Sequence, residues 1–374
     1  MSVATARTRG RQRALWMVLF LLAAQLVSLA RPAYACGCGA MVHDPKTALA
    51  VDRETSVVQW DGRTERIVMS LTVNGTAPDA AWIMPVPHRA EVELGDPALF
   101  RQLAAETSPA VEQRHYFWPR GRDWPFGGDM DGAAAPAPGA QGPGVGVVGR
   151  ERLGPFDVAR LTASDPDALG DWLTSQGFRL PASLATELRP YVAQRWEYVA
   201  VRLAPAERNR TLSGTLEPLR LSFPSERLIY PMRLSRLATT PQSLGLYVLA
   251  SHRMEPRSSI GGSPPEVFFA GRIRPTKAVR RLTGRGDTYL TALDQQFPRP
   301  QRISGDHELR RAAADTPFQR VQYEDVLLKV GSLPAWVLAV GAVSALPPTV
   351  VLIVLLRRRR TAPRPPGRLP HLPV

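Results

Sequence analysis

Two cysteines, a methionine and a histidine fall within eight residues of this 374-residue chain: Cys36, Cys38, Met41 and His43. Thiolate, thioether and imidazole together suit Cu(I), so these four are the candidate metal ligands. Zinc would call for paired C-x-x-C motifs that the chain lacks. The same spacing allows a Cys36–Cys38 disulfide or a thiol-redox pair. A ring with one intervening residue is strained and contributes little by loop entropy. A redox-inert pair is the remaining reading, and no cofactor can be named. Elsewhere the catalytic signals are thin. There is no G-x-S-x-G elbow, no H-E-x-x-H and no phosphate-cradling glycine loop. His88, His115, His252 and His307 are scattered, and an isolated histidine is usually a surface or satisfied core residue. Asp129-Met130-Asp131-Gly132 opens like a calcium loop, but no acid closes it. No catalytic residue is assigned, and the expectation is a non-catalytic interaction or cell-envelope module; the alternative is a copper-handling or thiol-redox protein, or an unrecognised enzyme, built on the Cys36–Cys38 cluster.

A second group is aromatic. Tyr116, Phe117 and Trp118 are followed closely by Trp124 and Phe126. Exposed, these residues would carry binding energy at an interface or sit at a lipid surface. Buried, they would close the core over the neighbouring Pro/Gly-rich segment, and burial is the expectation here.

Both ends of the chain are apolar. Arg7, Arg9, Arg11 and Arg13 precede the run 14–30, and Ala33-Tyr34-Ala35 comes next, the order of a secretory signal with cleavage before Cys36. The second run, residues 334–356, holds no formal charge and is long enough to cross a bilayer as a helix. Pro347 and Pro348 predict a kink within it. Arg357, Arg358, Arg359 and Arg360 then set the topology, keeping the C-terminus cytoplasmic. The expectation is a single-pass protein of the bacterial plasma membrane with its bulk extracytoplasmic. The net charge of +14 is concentrated at these ends: removing the eleven terminal arginines leaves +3 for the rest. Nucleic acid therefore loses its support as a partner. The lipid bilayer is the partner the ends imply; any protein or envelope partner is unknown.

The region between the ends, rich in Pro and Gly, predicts an α+β fold: an antiparallel β-rich extracytoplasmic domain with a few short helices, plus the C-terminal transmembrane helix. Residues 1–35 read as the signal, 36–117 as a β-meander, 118–149 as a Pro/Gly-rich loop or insertion and 150–298 as an α+β region. Residues 299–333 read as a juxtamembrane stalk, 334–356 as the span and 357–374 as the basic tail. In the meander, Ile67, Met69, Leu71 and Val73 alternate with mostly polar residues, Asp61-Gly62 and Asn74-Gly75 make tight turns, and residues 79–86 supply the third strand. Asp96 and Pro97 open a helix with Leu99, Phe100 and Leu103 on one face. Helices are expected from Asp165-Pro166 to Gly177 and over 182–193, with strands at 197–203, 216–223, 228–234, 244–252 and 267–272. Residues 288–297 are expected to be helical.

Several motifs together carry a resemblance. Cys36-Gly37-Cys38-Gly39 after a signal is followed by Trp82-Ile83-Met84-Pro85-Val86-Pro87 and Gly154-Pro155-Phe156-Asp157-Val158. Leu219-Arg220-Leu221-Ser222-Phe223-Pro224-Ser225 and Tyr230-Pro231-Met232-Arg233-Leu234 complete the set. From Cys36 to His252 the chain resembles the bacterial domain-of-unknown-function family 2330. The resemblance implies an exported, often membrane-anchored protein without an established activity, and so hands over no functional residues.

Overall fold

A computed structural model describes residues 35–36, 39–124, 152–153, 156–162, 166–205, 210–284 and 288–360. The expected signal, Cys38, Phe126 with most of the 118–149 segment, and the tail beyond Arg360 lie outside these residues. Two compact units result, one of residues 1–109 and 145–320, the other of 110–144 and 321–374.

The larger unit is β-rich and layered. Its nine-stranded sheet runs in the order Phe318–Gln319, Glu266–Ile273, Thr288–Phe297, Gln242–Ala250, Leu49–Trp60, Thr64–Gly75, Leu219–Pro224, Glu91–Leu94, with Gly214–Thr215 also on Thr64–Gly75. Neighbours are antiparallel except Gln242–Ala250 beside Leu49–Trp60, which is parallel. The hairpin Leu49–Trp60/Thr64–Gly75 forms where the alternation places it. Asp61 Oδ1 accepts from the backbone N–H groups of Arg63 and Thr64 (3.0 and 2.8 Å), and Gly62 takes the positive φ of 94° that closes the turn.

A six-stranded sheet lies across one face of the nine-stranded one, in the order Ala35–Cys36, Gly39–Val42, Ala80–Val86, Glu197–Leu203, Phe156–Thr162, Arg152–Leu153. Alternation explains the layering. Trp82, Met84, Val199 and Val201 point into a core shared with Ile67, Met69, Leu71, Leu221 and Leu246 of the larger sheet. Ala81, Ile83, Tyr198 and Ala200 point the other way, onto the helices Pro166–Ser175 and Ala182–Ala193 through Leu169, Leu173, Leu184, Leu188 and Tyr191. On the far side of the larger sheet, Val57, Val68, Leu249 and Leu290 pack on the helices Pro97–Glu106 and Lys277–Thr283 through Leu99, Leu103, Val279 and Leu282. Asp96 caps the first of these by accepting from Ala98 N at 2.9 Å.

Three expectations are corrected. Residues Ala80–Val86 do not extend the meander; all seven are buried, and a strand buried on both faces belongs between two layers, not at the edge of a hairpin. Thr288–Phe297 is a strand, not a helix, paired on both sides in the nine-stranded sheet. Its apolar residues Tyr289, Leu290, Ala292 and Leu293 fall at odd and even positions alike, so the two-residue period of a half-buried strand is lost. Residues 299–320 are not a stalk. His307–Arg311 is the central strand of a three-stranded sheet between Leu228–Tyr230 and Met254–Pro256. Asp306 ties this segment down by accepting from Tyr191 Oη (2.6 Å), Met232 N (2.8 Å) and Arg233 N (2.9 Å). These partners lie 73 to 115 residues away, so the polar composition of the segment gives no sign of them.

The smaller unit holds a parallel two-stranded ribbon, Ala110–Tyr116 with Val321–Leu327. A short hairpin, Lys329–Val330 with Leu333–Pro334, turns at Gly331. The helix Ala335–Arg360 comes next and continues through Pro347 and Pro348.

Candidate functional site

The aromatic segment lies in the smaller unit beside the start of the apolar helix, and its surroundings are charged and ordered. At the end of the ribbon Asp123 Oδ2 accepts from Tyr116 Oη at 2.5 Å and from Arg120 N at 2.9 Å. The Arg120 guanidinium lies 4.6 Å from the Tyr116 ring centre, a cation–π contact. Across the ribbon Arg114 donates from Nε and Nη2 to both oxygens of Asp325 (2.6 and 3.1 Å), the bidentate geometry that makes such pairs specific. Arg120 Nη1 reaches the same carboxylate at 3.4 Å. The hydrogen bond from Arg114 holds Asp325 below the usual carboxylate range, the hydrogen bond from Tyr116 does the same for Asp123, and the Tyr116 phenol is pushed up in return. These groups are solvated, so the shifts organise the loop more than they stabilise it.

The same framework joins the ribbon end to the helix start. Leu328 N donates to Tyr116 O and Ala335 N to Leu328 O, at 2.9 and 2.8 Å. Trp124 then packs at a tilt against Trp336, the second residue of the apolar helix, with ring centres 5.4 Å apart and the ring planes at 53°. Phe117 and Trp118 meet edge to face at 5.1 Å. Trp118 is 60% exposed and Trp124 48%, so the expectation that this segment closes a core is overturned. Val330 and Leu333, just ahead of the helix, are exposed as well. The helix has a mean hydropathy of 2.3 over Ala335–Arg357 and is long and apolar enough to cross a membrane.

Of the four candidate metal ligands, the side chains of Met41 and His43 are described. Met41 is buried in the core between the two sheets. His43 is buried beyond the end of that strand, its Nδ1 2.9 Å from Asp44 O and 3.1 Å from Thr47 Oγ1. Cys36 is described only as backbone paired to Gly39, and Cys38 lies outside. Among the described residues no three His, Cys, Asp or Glu side chains are grouped as a metal site.

His307 and Glu65 are among the buried titratable groups of the larger unit. His307, 3% exposed, donates from Nε2 to Gln295 Oε1 at 2.7 Å. The Gln295 amide is oriented by its own donation to Gly261 O and Ser263 O (3.0 and 2.7 Å), which assigns the histidine proton to Nε2. Nδ1 finds no hydrogen-bond partner among the described residues. The ring lines an apolar chamber of about 10 Å³ with Leu244, Leu246, Leu293 and Leu309, and burial pulls its pKa down to about 4. Glu65, wholly buried, accepts from Ile229 N at 3.2 Å through Oε2 while Oε1 finds no hydrogen-bond partner among the described residues. Burial raises its pKa well above the ordinary 4.5. A shallow groove of about 410 Å³ is lined by Thr64, Arg89, Ala90, Glu91, Ser222, Phe223 and Pro224, a lining without histidine or cysteine.

Sequence reasoning missed Arg114, Arg120, Asp123, Asp325 and Trp336. For Asp325 no local signal exists, since its partner is 211 residues away. Trp336 was readable: a tryptophan at the head of an apolar span is the mark of a membrane–water boundary.

A family model described as "Uncharacterized protein conserved in bacteria (DUF2330)" matches residues 32–310. No curated protein matches the chain. Among solved structures, the crystal structure of baculovirus P35 is 9% identical, with 73% of this chain and 97% of that one covered. Its TM-score of 0.30 is too low to bear on the fold.

Proposed function

The chain belongs to the DUF2330 family of proteins conserved in bacteria, and from that premise we propose that it is a single-pass, extracytoplasmic envelope module that acts by contact and not by catalysis. One observation carries this reading. An apolar helix whose described side chains are almost all exposed from Val337 onward has a tryptophan pair, Trp124 and Trp336, at its head and arginines from Arg357 at its tail. Indole rings favour the headgroup level, and arginines after a span favour the cytoplasm. Trp118 and Phe117, a second aromatic pair of the same segment, are exposed as well. For action by contact the support is chemical: His307 and Glu65, both perturbed by burial, are closed inside the core and each is engaged with a structural partner. Neither faces the groove.

Protease applied to intact spheroplasts of cells expressing the full chain tests the layout. Loss of residues 39–320 with retention of a C-terminal epitope is the expected result. The reverse, an intact folded part with a trimmed tail, would overturn it.

A further inference from the structure

The ribbon Ala110–Tyr116/Val321–Leu327 departs from how parallel strands are normally housed. Parallel sheets occur almost only with both faces covered, and two strands alone are marginal. Here the pair has just two members, and residues 111–115 and 321–325 are all exposed. Val111 is 62% exposed and Tyr323 60%. Among the described residues neither strand has a second neighbour, so each presents an open edge to pairing.

Resting on the membrane-anchored reading above, we propose that these edges join copies of this chain head to tail, the Val321–Leu327 strand of one copy lying beside the Ala110–Tyr116 strand of the next. Three observations select a second copy as the occupant. The chain leaves Val321–Leu327 for the apolar helix within eight residues, so copies anchored in one bilayer enter it in the same sense and their strands are brought together parallel. Parallel is the sense the ribbon already has. The third is charge. Arg114 and Asp325 are register partners on one face of the ribbon, and continuing that register sets Arg114 of the neighbouring copy against the other side of Asp325. Such a head-to-tail contact is heterologous, and it closes into a ring when the rotation permits.

The test uses the full chain with Cys36→Ser and Cys38→Ser, in native membranes. Glu112 and Tyr323 are register partners, so Glu112→Cys is placed in one population of chains and Tyr323→Cys in another. Oxidation before detergent extraction should give a band at twice the chain mass only where both populations are co-expressed. Monomer alone in the mixture, a dimer from Tyr323→Cys alone, or linkage of Tyr323→Cys to a species of another mass would each overturn the proposal. As a check that does not depend on substitution, native mass spectrometry of the unaltered chain in lipid nanodiscs should show more than one copy; a single copy overturns it. Fractionation scores the anchor separately. If the chain is found outside the membrane the anchored reading fails, while the mixed cross-link still reads the edges.

Discussion

Acidification should weaken the larger unit through His307. The ring is 3% exposed, its Nε2–H is given to Gln295, and protonating Nδ1 would place a charge and an unmet donor in a chamber lined mainly by leucines, with room for about one water. Burial lowers its pKa from 6.5 to about 4. Between these values the unfolded chain binds the proton and the folded one does not, so stability falls as pH drops. It is undiminished above pH 6.5, and the full loss of about 3 kcal/mol is reached below pH 4, since a tenfold difference in proton affinity is worth about 1.4 kcal/mol. At pH 5 the loss is already about 2 kcal/mol. The measurement is urea unfolding of the wild type and of His307→Gln at intervals from pH 7.5 to 4.5, using the difference between the two curves so that other carboxylates and histidines cancel. The wild type should lose about 2 kcal/mol relative to the variant on going from pH 7 to pH 5. A difference that stays flat over that range would refute the reasoning and mean that the ring is protonated in the fold or reached by solvent.

Glu65 gives the opposite sign: its folded pKa is raised, so the stability it contributes is complete below about 4.5 and drains away as pH rises toward the folded value. Glu65→Gln, which keeps an acceptor for Ile229 N, should therefore gain on the wild type as pH increases, read from the same urea midpoints. Asp306→Ala strands the Tyr191 hydroxyl and the Met232 and Arg233 N–H groups, a cost of about 3 kcal/mol or more, while Asp306→Asn should lose clearly less because an acceptor remains; equal losses would show that the three bonds do not converge as described.

What could be read in advance was local or periodic. The 49–75 hairpin, the Asp96 cap and the helix over 182–193 come from alternation, turn chemistry and apolar spacing confined to a few neighbours. The apolar helix was legible from composition alone. What escaped depends on partners far along the chain. Ala80–Val86 is apolar throughout, but nothing in it names Glu197–Leu203 as its neighbour in place of the preceding strand, and Thr288–Phe297 has apolar residues on both sides because both of its faces are covered. His307 looked like one scattered histidine among several, since Gln295 and Ser263 become its surroundings only after folding. The ribbon joins residue 110 to residue 321, a pairing for which neither segment carries a recognition signal. The aromatic segment was found, but its exposure was not, because apolar density does not say whether anything lies on top of it.

The Ala80–Val86 strand has a consequence for how the larger unit comes apart. Its odd and even positions are plugged into different oil drops, Trp82 and Met84 in one and Ala81 and Ile83 in the other, so neither can be drained while the other stays dry. Loosening the helices Pro166–Ser175 and Ala182–Ala193 strips one side of a party wall, and the sheet-to-sheet side loses its backing in the same event. The unit should therefore melt in one step, with no surviving half.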